Sequence, residues 1–162
     1  YEYHTYNRVA GYLREHAPIL YLLGHNTGSS SHLPIISFLI KCGHRFLHFN
    51  YVCAILNDVF GIQSRGGCQC AGPYSQRLLG LTHMTARGEV PNKRNEQIER
   101  ALINFKERAE LLRPGFTRLS LPFKGLCAEE EEYVLKALVW TAKYAWALMC
   151  NYRCNHKTGE VS

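Results

Sequence analysis

The longest apolar run in the chain, Leu33-Pro34-Ile35-Ile36-Ser37-Phe38-Leu39-Ile40, is rich in β-formers and almost free of polar residues. A run apolar at both parities reads as a strand covered on at least one face. It is far short of the ~20 residues that a membrane-spanning helix needs. The flanking segments must therefore supply the cover. With 162 residues, 46% of them hydrophobic, the chain is long enough to do so as a single domain spanning 1–162 with its own core, and too apolar to stay disordered.

Helical spacing recurs on both sides of that run. Tyr6, Val9, Ala10 and Leu13 share one face of a helix from Tyr3 to His16, which Pro18 ends, and Ile19 to Leu23 reads as a buried strand. The polar stretch from Gly24 to His32 lacks the lysine of a phosphate-cradling loop and precedes no helix, so it reads as a hairpin connection. Asn50 to Phe60 is a second helix, stopped by Gly61 in a left-handed cap. Ile62-Gln63-Ser64 reads as a brief strand, Ser75 to Leu81 as a short helical turn, and Thr82 to Pro91 as a connection.

Asn92 then caps a helix to Leu112, with Ile98, Leu102, Phe105, Ala109 and Leu112 on one stripe and its basic residues interleaved with glutamates, as on a solvated face. Pro114-Gly115 stops it. Phe116 to Leu121 alternates with a period of two, placing Phe116, Arg118 and Ser120 on one face and Thr117, Leu119 and Leu121 on the other. A final helix starts near Ala128, where Glu129 to Glu132 complement the positive end of its dipole, and turns Leu138, Ala142, Trp146 and Met149 toward the core. Cys154 to Ser162 reads as a polar tail. Strands interleaved with amphipathic helices predict an α+β fold, a small mixed or antiparallel sheet with helices mainly on one face.

The net charge of +6 permits an anionic partner, but the basic residues are scattered rather than striped, so nucleic acid is not an expected partner. No apolar stretch is long enough to span a membrane, and Tyr1-Glu2-Tyr3-His4 has no signal-peptide shape. Seven cysteines, an odd number, agree with a reducing environment, and an intracellular, soluble chain is the expectation, cytoplasmic or organellar.

Chemistry concentrates in Ser64-Arg65-Gly66-Gly67-Cys68-Gln69-Cys70-Ala71-Gly72-Pro73-Tyr74. The paired glycines remove Cβ atoms where backbone comes close to something, and Pro73 stiffens the exit. Two cysteines one residue apart can be reactive thiols, half of a metal site or ordinary buried cysteines. No second knuckle completes a metal set, His44 and His48 included, so no metal is expected. Arg65 beside the glycines makes an electropositive setting that favours thiolate. Arg118 on its alternating strand either snorkels to water or clamps an anion with its guanidinium fork.

Read together, Leu33-Pro34-Ile35-Ile36-Ser37-Phe38, the stretch from Asn57 to Tyr74, and Arg113-Pro114-Gly115-Phe116-Thr117-Arg118-Leu119-Ser120 resemble class V aminotransferases, in the branch of the cysteine desulfurases and selenocysteine lyases. The resemblance covers only that family's C-terminal segment. It implies the small C-terminal domain of a fold-type I enzyme using pyridoxal phosphate, whose large domain, absent here, supplies the cofactor lysine and most cofactor contacts. None of this chain's lysines stands in the family's Ser/Thr-His-Lys setting, so the resemblance implies no cofactor site in this chain and no activity for it alone.

The family's sulfur-accepting cysteine falls on Cys70, with Cys68 as runner-up, and its substrate-carboxylate arginine on Arg118, with Arg65 as a second arginine at the base of the loop. The partners it implies are the missing large domain, an amino-acid substrate, and room for a homodimer and a sulfur acceptor. The stretch from Ser75 to Leu112 and the Gly-Gly-Cys start depart from the better-characterised desulfurases and leave the substrate open. The alternative is a non-catalytic binding or regulatory module that uses its basic surface or its cysteine loop.

Overall fold

In the computed structural model of the protein, residues 2–24, 33–68, 72–85, 88–91, 93–104, 110–122 and 126–162 are described. The apolar run becomes strand β2, Ile35–Cys42, in which Ile36, Phe38 and Ile40 are buried while Ile35, Ser37, Leu39 and Lys41 are more open. That period of two fixes the sheet's two sides. On one edge β2 pairs with β1, Leu20–Leu22, while its last two residues pair across the opposite edge with the two-residue β3, Arg45–Phe46. On the other it pairs with β7, Phe116–Ser120, which in turn pairs with β4, Arg65–Gly67. The order is β1-β2-β7-β4, every pair antiparallel.

Three of the chain's helices cover the inner side: α1, Glu2–His16; α2, Phe49–Phe60; and α5, Ala128–Tyr144. Val9 and Leu13 of α1, Ile55 and Leu56 of α2 and Leu138 of α5 pack with Ile36, Phe38 and Leu119 of the sheet in one core. An α+β fold with an antiparallel sheet results, as the interleaved pattern predicts. Arg8 fastens α1 to α5 by donating Nε to Glu131 Oε1 at 2.7 Å and Nη2 to Glu131 Oε2. A bidentate fork of this kind fixes orientation as well as distance. Among the described residues no helix is long and apolar enough to cross a membrane.

The helix ends follow local chemistry. Gly61 closes α2 at φ 66°, its N–H reaching the carbonyl of Asn57, and His48 opens it by accepting the Asn50 N–H on Nδ1 at 3.2 Å. Cys127 and Glu130 form a reciprocal capping box at the start of α5, with a sulfur where serine or threonine is usual. The shorter α3, Gly72–Leu78, begins earlier than its sequence pattern suggests, and α4 spans Lys93–Asn104. Phe105 and Ala109 of the expected stripe lie outside the described residues, and Glu110–Leu112 forms a 3-10 turn rather than the end of the same helix.

Four further expectations are corrected. Strand β4 is Arg65–Gly67, not Ile62 to Ser64. The connection from Thr82 to Pro91 contains a hairpin of its own, β5, Thr82–Thr85, paired with β6, Gly88–Pro91. Trp146 and Met149 are exposed because α5 gives way after Tyr144 to a 3-10 turn, Ala145–Asn151, whose three residues per turn move the apolar stripe out of phase. The polar tail is folded back: Arg153 and Ser162 exchange both backbone hydrogen bonds, and Asn50 Nδ2 donates to the Gly159 carbonyl at 2.6 Å.

Candidate functional site

Antiparallel partners share a face, so the register places one row of side chains across the outer side of the sheet. Ser37 of β2 stands opposite Arg118 of β7, and Arg118 stands opposite Arg65 of β4. The row extends to Leu23, whose N–H is held by the Ser37 carbonyl at 2.8 Å. Arg118 is half-buried in the middle of the sheet, and Arg65 is exposed on its edge strand. Phe116, one step along β7 on the same face, is buried and opposite Gly67. The two arginines singled out in the sequence, more than fifty positions apart, are thus direct neighbours on a rigid element.

Glycine makes this possible. A Cβ at Gly66, which points to the inner face, would lie 2.6 Å from Phe49 Cδ2 and 3.3 Å from Cys53 Sγ, so α2 rests directly on the backbone of β4. A Cβ at Gly115 would lie 2.7 Å from Gly67 Cα. The Pro114-Gly115 stop is therefore seated on the end of β4, next to Cys68.

That seating brings in Arg113, a residue the sequence reading left in a solvated helix face. Its guanidinium pKa is raised chiefly by the Glu110 carboxylate, which accepts Nε at 2.6 Å and Nη2 at 2.9 Å, and Cys68 adds to the rise, so Arg113 lies within electrostatic reach of the Cys68 sulfur. The signal was its place immediately before Pro114-Gly115. Cys68 itself is half-buried, and its carbonyl accepts the buried Ser75 hydroxyl at 2.6 Å, tying the start of the cysteine loop to α3. Cys70 lies outside the described residues.

Cys68 follows directly on β4, at the end of the strand that carries Arg65. Beyond it, Tyr74 brings its hydroxyl within 3.5 Å of where a Gly24 Cβ would stand, one residue past Leu23. Cys68 thus stands at the β4 edge and the Tyr74 hydroxyl near Gly24, just past β1. Two cavities flank the region. One, of about 380 Å³, lies between the outer face and the α3–α4 segment, lined by Leu39, Phe46, His48, Leu81, Ile98 and Arg113 among others. The second, of about 450 Å³, borders α2 and the C-terminal turn with Asn50, Cys53, Asn57, Gln63, Ser64 and Glu160.

The electrostatics of these flanks separate reactive from inert groups. Burial raises the Cys53 thiol pKa, against the Ser64 and Thr117 hydroxyls, so this cysteine stays protonated at neutral pH. Burial lowers the His48 pKa; Nδ1 accepts the cap hydrogen bond, Nε2 has no partner at hydrogen-bonding geometry among the described residues, and the nearby Leu111 carbonyl pulls weakly the other way. The six described cysteines are all free thiols. Among the described residues no group of three or more His, Cys, Asp or Glu side chains is placed to hold a metal ion.

Among the described residues no lysine joins the arginine row. Lys41 shares its face of the sheet but stands four residues along β2 from Ser37, about 13 Å away at strand spacing, and Lys136 is an exposed partner of Glu132 at 2.6 Å. Compared with models of known protein families and with curated proteins, the chain matches none.

Proposed function

We propose that this chain is the small C-terminal domain of a pyridoxal-phosphate-dependent enzyme of the cysteine desulfurase type, inactive without a large domain that supplies the cofactor site. The observation that carries the reading is the placement of Arg118 and Arg65 as opposed residues of β7 and β4, with Cys68 directly after β4. In this reading Arg118, held in the middle of the sheet, receives the α-carboxylate of an amino-acid substrate, because a guanidinium fork on a rigid strand fixes both position and orientation. Cys70 receives the substrate's sulfur or selenium as a thiolate nucleophile, leaving a persulfide on the loop.

The test is made on the full-length product of the gene. After one turnover with cysteine or selenocysteine, the modified residue is mapped by mass spectrometry. Sulfur or selenium on Cys70, lost in Cys70→Ala and largely kept in Cys68→Ala, is the expected result. Transfer to Cys68 alone would exchange the two assignments. A product that forms no persulfide or selenopersulfide would overturn the reading.

A further inference from the structure

We infer that the outward face of α5 is a dimer surface, which packs antiparallel against the same face of a second copy of this chain. Helical spacing divides α5 into two sides. Leu135, Leu138 and Ala142 are buried in the core, while Tyr133, Lys136, Lys143 and Tyr144 are exposed and Trp140 is half-buried among them. The rings form one ladder that α5 shares with the end of α2. Tyr133 lies edge-on to Phe60 with centroids 6.5 Å apart, Phe60 edge-on to Trp140 at 5.3 Å, and Trp140 tilts against Tyr144 at 5.7 Å. Tyr133 is pinned as well, donating its hydroxyl to the Phe60 carbonyl at 2.8 Å. The ladder therefore costs little side-chain entropy to dock.

Its size points to a weak but specific contact. An aromatic side chain can bury 150–250 Å², so Tyr133, Tyr144 and Trp146, each about half exposed, leave on the order of 300 Å² open. Apolar patches of that size are often interaction sites. Two such patches with their flanking charges bury roughly 1,000 Å², near the lower bound of a specific interface.

Charge selects the occupant and its direction. The same face carries Glu129 and Glu132 in the first turns of α5 and Lys143 in the last, so it is acidic at one end and basic at the other. A second α5 laid parallel would set Glu129 against Glu129 and Lys143 against Lys143. Laid antiparallel about a twofold axis near Lys136, it sets Glu129 against Lys143 of the other copy at both ends and brings Tyr133 to Trp140 of the other copy. Twofold symmetry makes each of these contacts twice. Lys136, nearest the axis, arrives already paired with Glu132 at 2.6 Å, which offsets the like charge of its symmetry mate.

The test is sedimentation equilibrium of the chain, in reducing buffer so that its free cysteines form no linked dimers. A monomer–dimer equilibrium is expected, with Kd on the order of 10–100 µM for an interface of this size. Glu129→Lys and Lys143→Glu should each weaken it about tenfold, because two attractive contacts turn repulsive. The two variants mixed in equal amounts should associate with about the wild-type Kd, since every opposed pair then has opposite signs; a folding defect in either variant could not be repaired by mixing. Tyr133→Ser should weaken association without being rescued by either charge variant. A chain that stays monomeric at about 1 mM would overturn the inference and leave this face to a different protein or domain. A dimer that neither reversal weakens, or that mixing does not restore, would overturn the antiparallel placement on α5.

Discussion

Arg65 and Arg118 are paired residues of the β4–β7 ladder, two like charges on one face of a sheet, and the strand rows on either side of theirs, Ile35 with Ser120 and Phe116 with Gly67, hold no acidic residue. Their juxtaposition has a consequence in the free chain as well as in any complex. Opposed like charges on a sheet are destabilising, so removing one without a ligand present should raise stability. Arg65→Gln is expected to gain about 0.2–0.5 kcal/mol in urea unfolding at low salt, a gain that fades as added salt screens the pair. A loss of stability at low salt would show that Arg65 has a favourable partner instead.

Gly115 is where the Pro-Gly stop meets β4. A Cβ there would stand 2.7 Å from Gly67 Cα and 2.6 Å from Phe49 Cε1, and the first of these neighbours is backbone that cannot rotate away. Gly115→Ala should cost about 1–3 kcal/mol in denaturant unfolding, the usual range for overpacking. The same exchange at Gly11, whose Cβ meets nothing within 4 Å, should not be destabilising and, inside α1, should help slightly. Equal effects at the two positions would contradict the close approach.

His48 predicts a pH dependence with a definite sign. Burial holds its folded pKa below the ordinary 6.5, so the unfolded chain binds more protons than the folded one in that interval. Stability is therefore complete above about 6.5 and falls as pH drops from 6.5 through the lowered folded value. His48→Asn keeps a cap acceptor for α2 and removes the titration. Urea unfolding between pH 7.5 and pH 5, a range chosen around the ordinary histidine value, should show the wild type losing stability more steeply than the variant. Parallel curves would rule His48 out as the source.

What could be read from the sequence was whatever carried its own period. The alternation from Phe116 to Leu121 gives the two faces of β7 correctly, and the helical spacing before Gly61 gives α2 and its cap. Strand β4 was displaced by three residues because Gly66 and Gly67 have no side chains to show a pattern; their strand geometry is imposed by pairing with β7 and by α2 resting on them. Trp146 and Met149 continue the spacing of α5 in the sequence, yet the 3-10 turn changes the phase, and nothing local announces that change. The folded-back tail is held by main-chain bonds and by Asn50, a residue more than a hundred positions away. For the site, Arg65 and Arg118 were each visible as arginines near chemistry, but their adjacency is a fact of register between strands far apart in sequence. Arg113 was hidden among helix charges for the same reason.

The strand order β1-β2-β7-β4 also sets the timing of folding. β7 is flanked on both sides, yet it is the last strand of the sheet to appear along the chain, and β4 has no neighbour in the sheet until β7 arrives between it and β2. The local hairpin of β5 and β6 can form early, whereas insertion of Phe116–Ser120 closes loops of about fifty residues or more on either side, the kind of non-local step that slows folding. Until that insertion, Ile36 and Phe38 sit on a strand with one open edge. The strand that carries Arg118 is thus also the keystone of assembly, and the arginine pair comes into existence only in the step that completes the sheet.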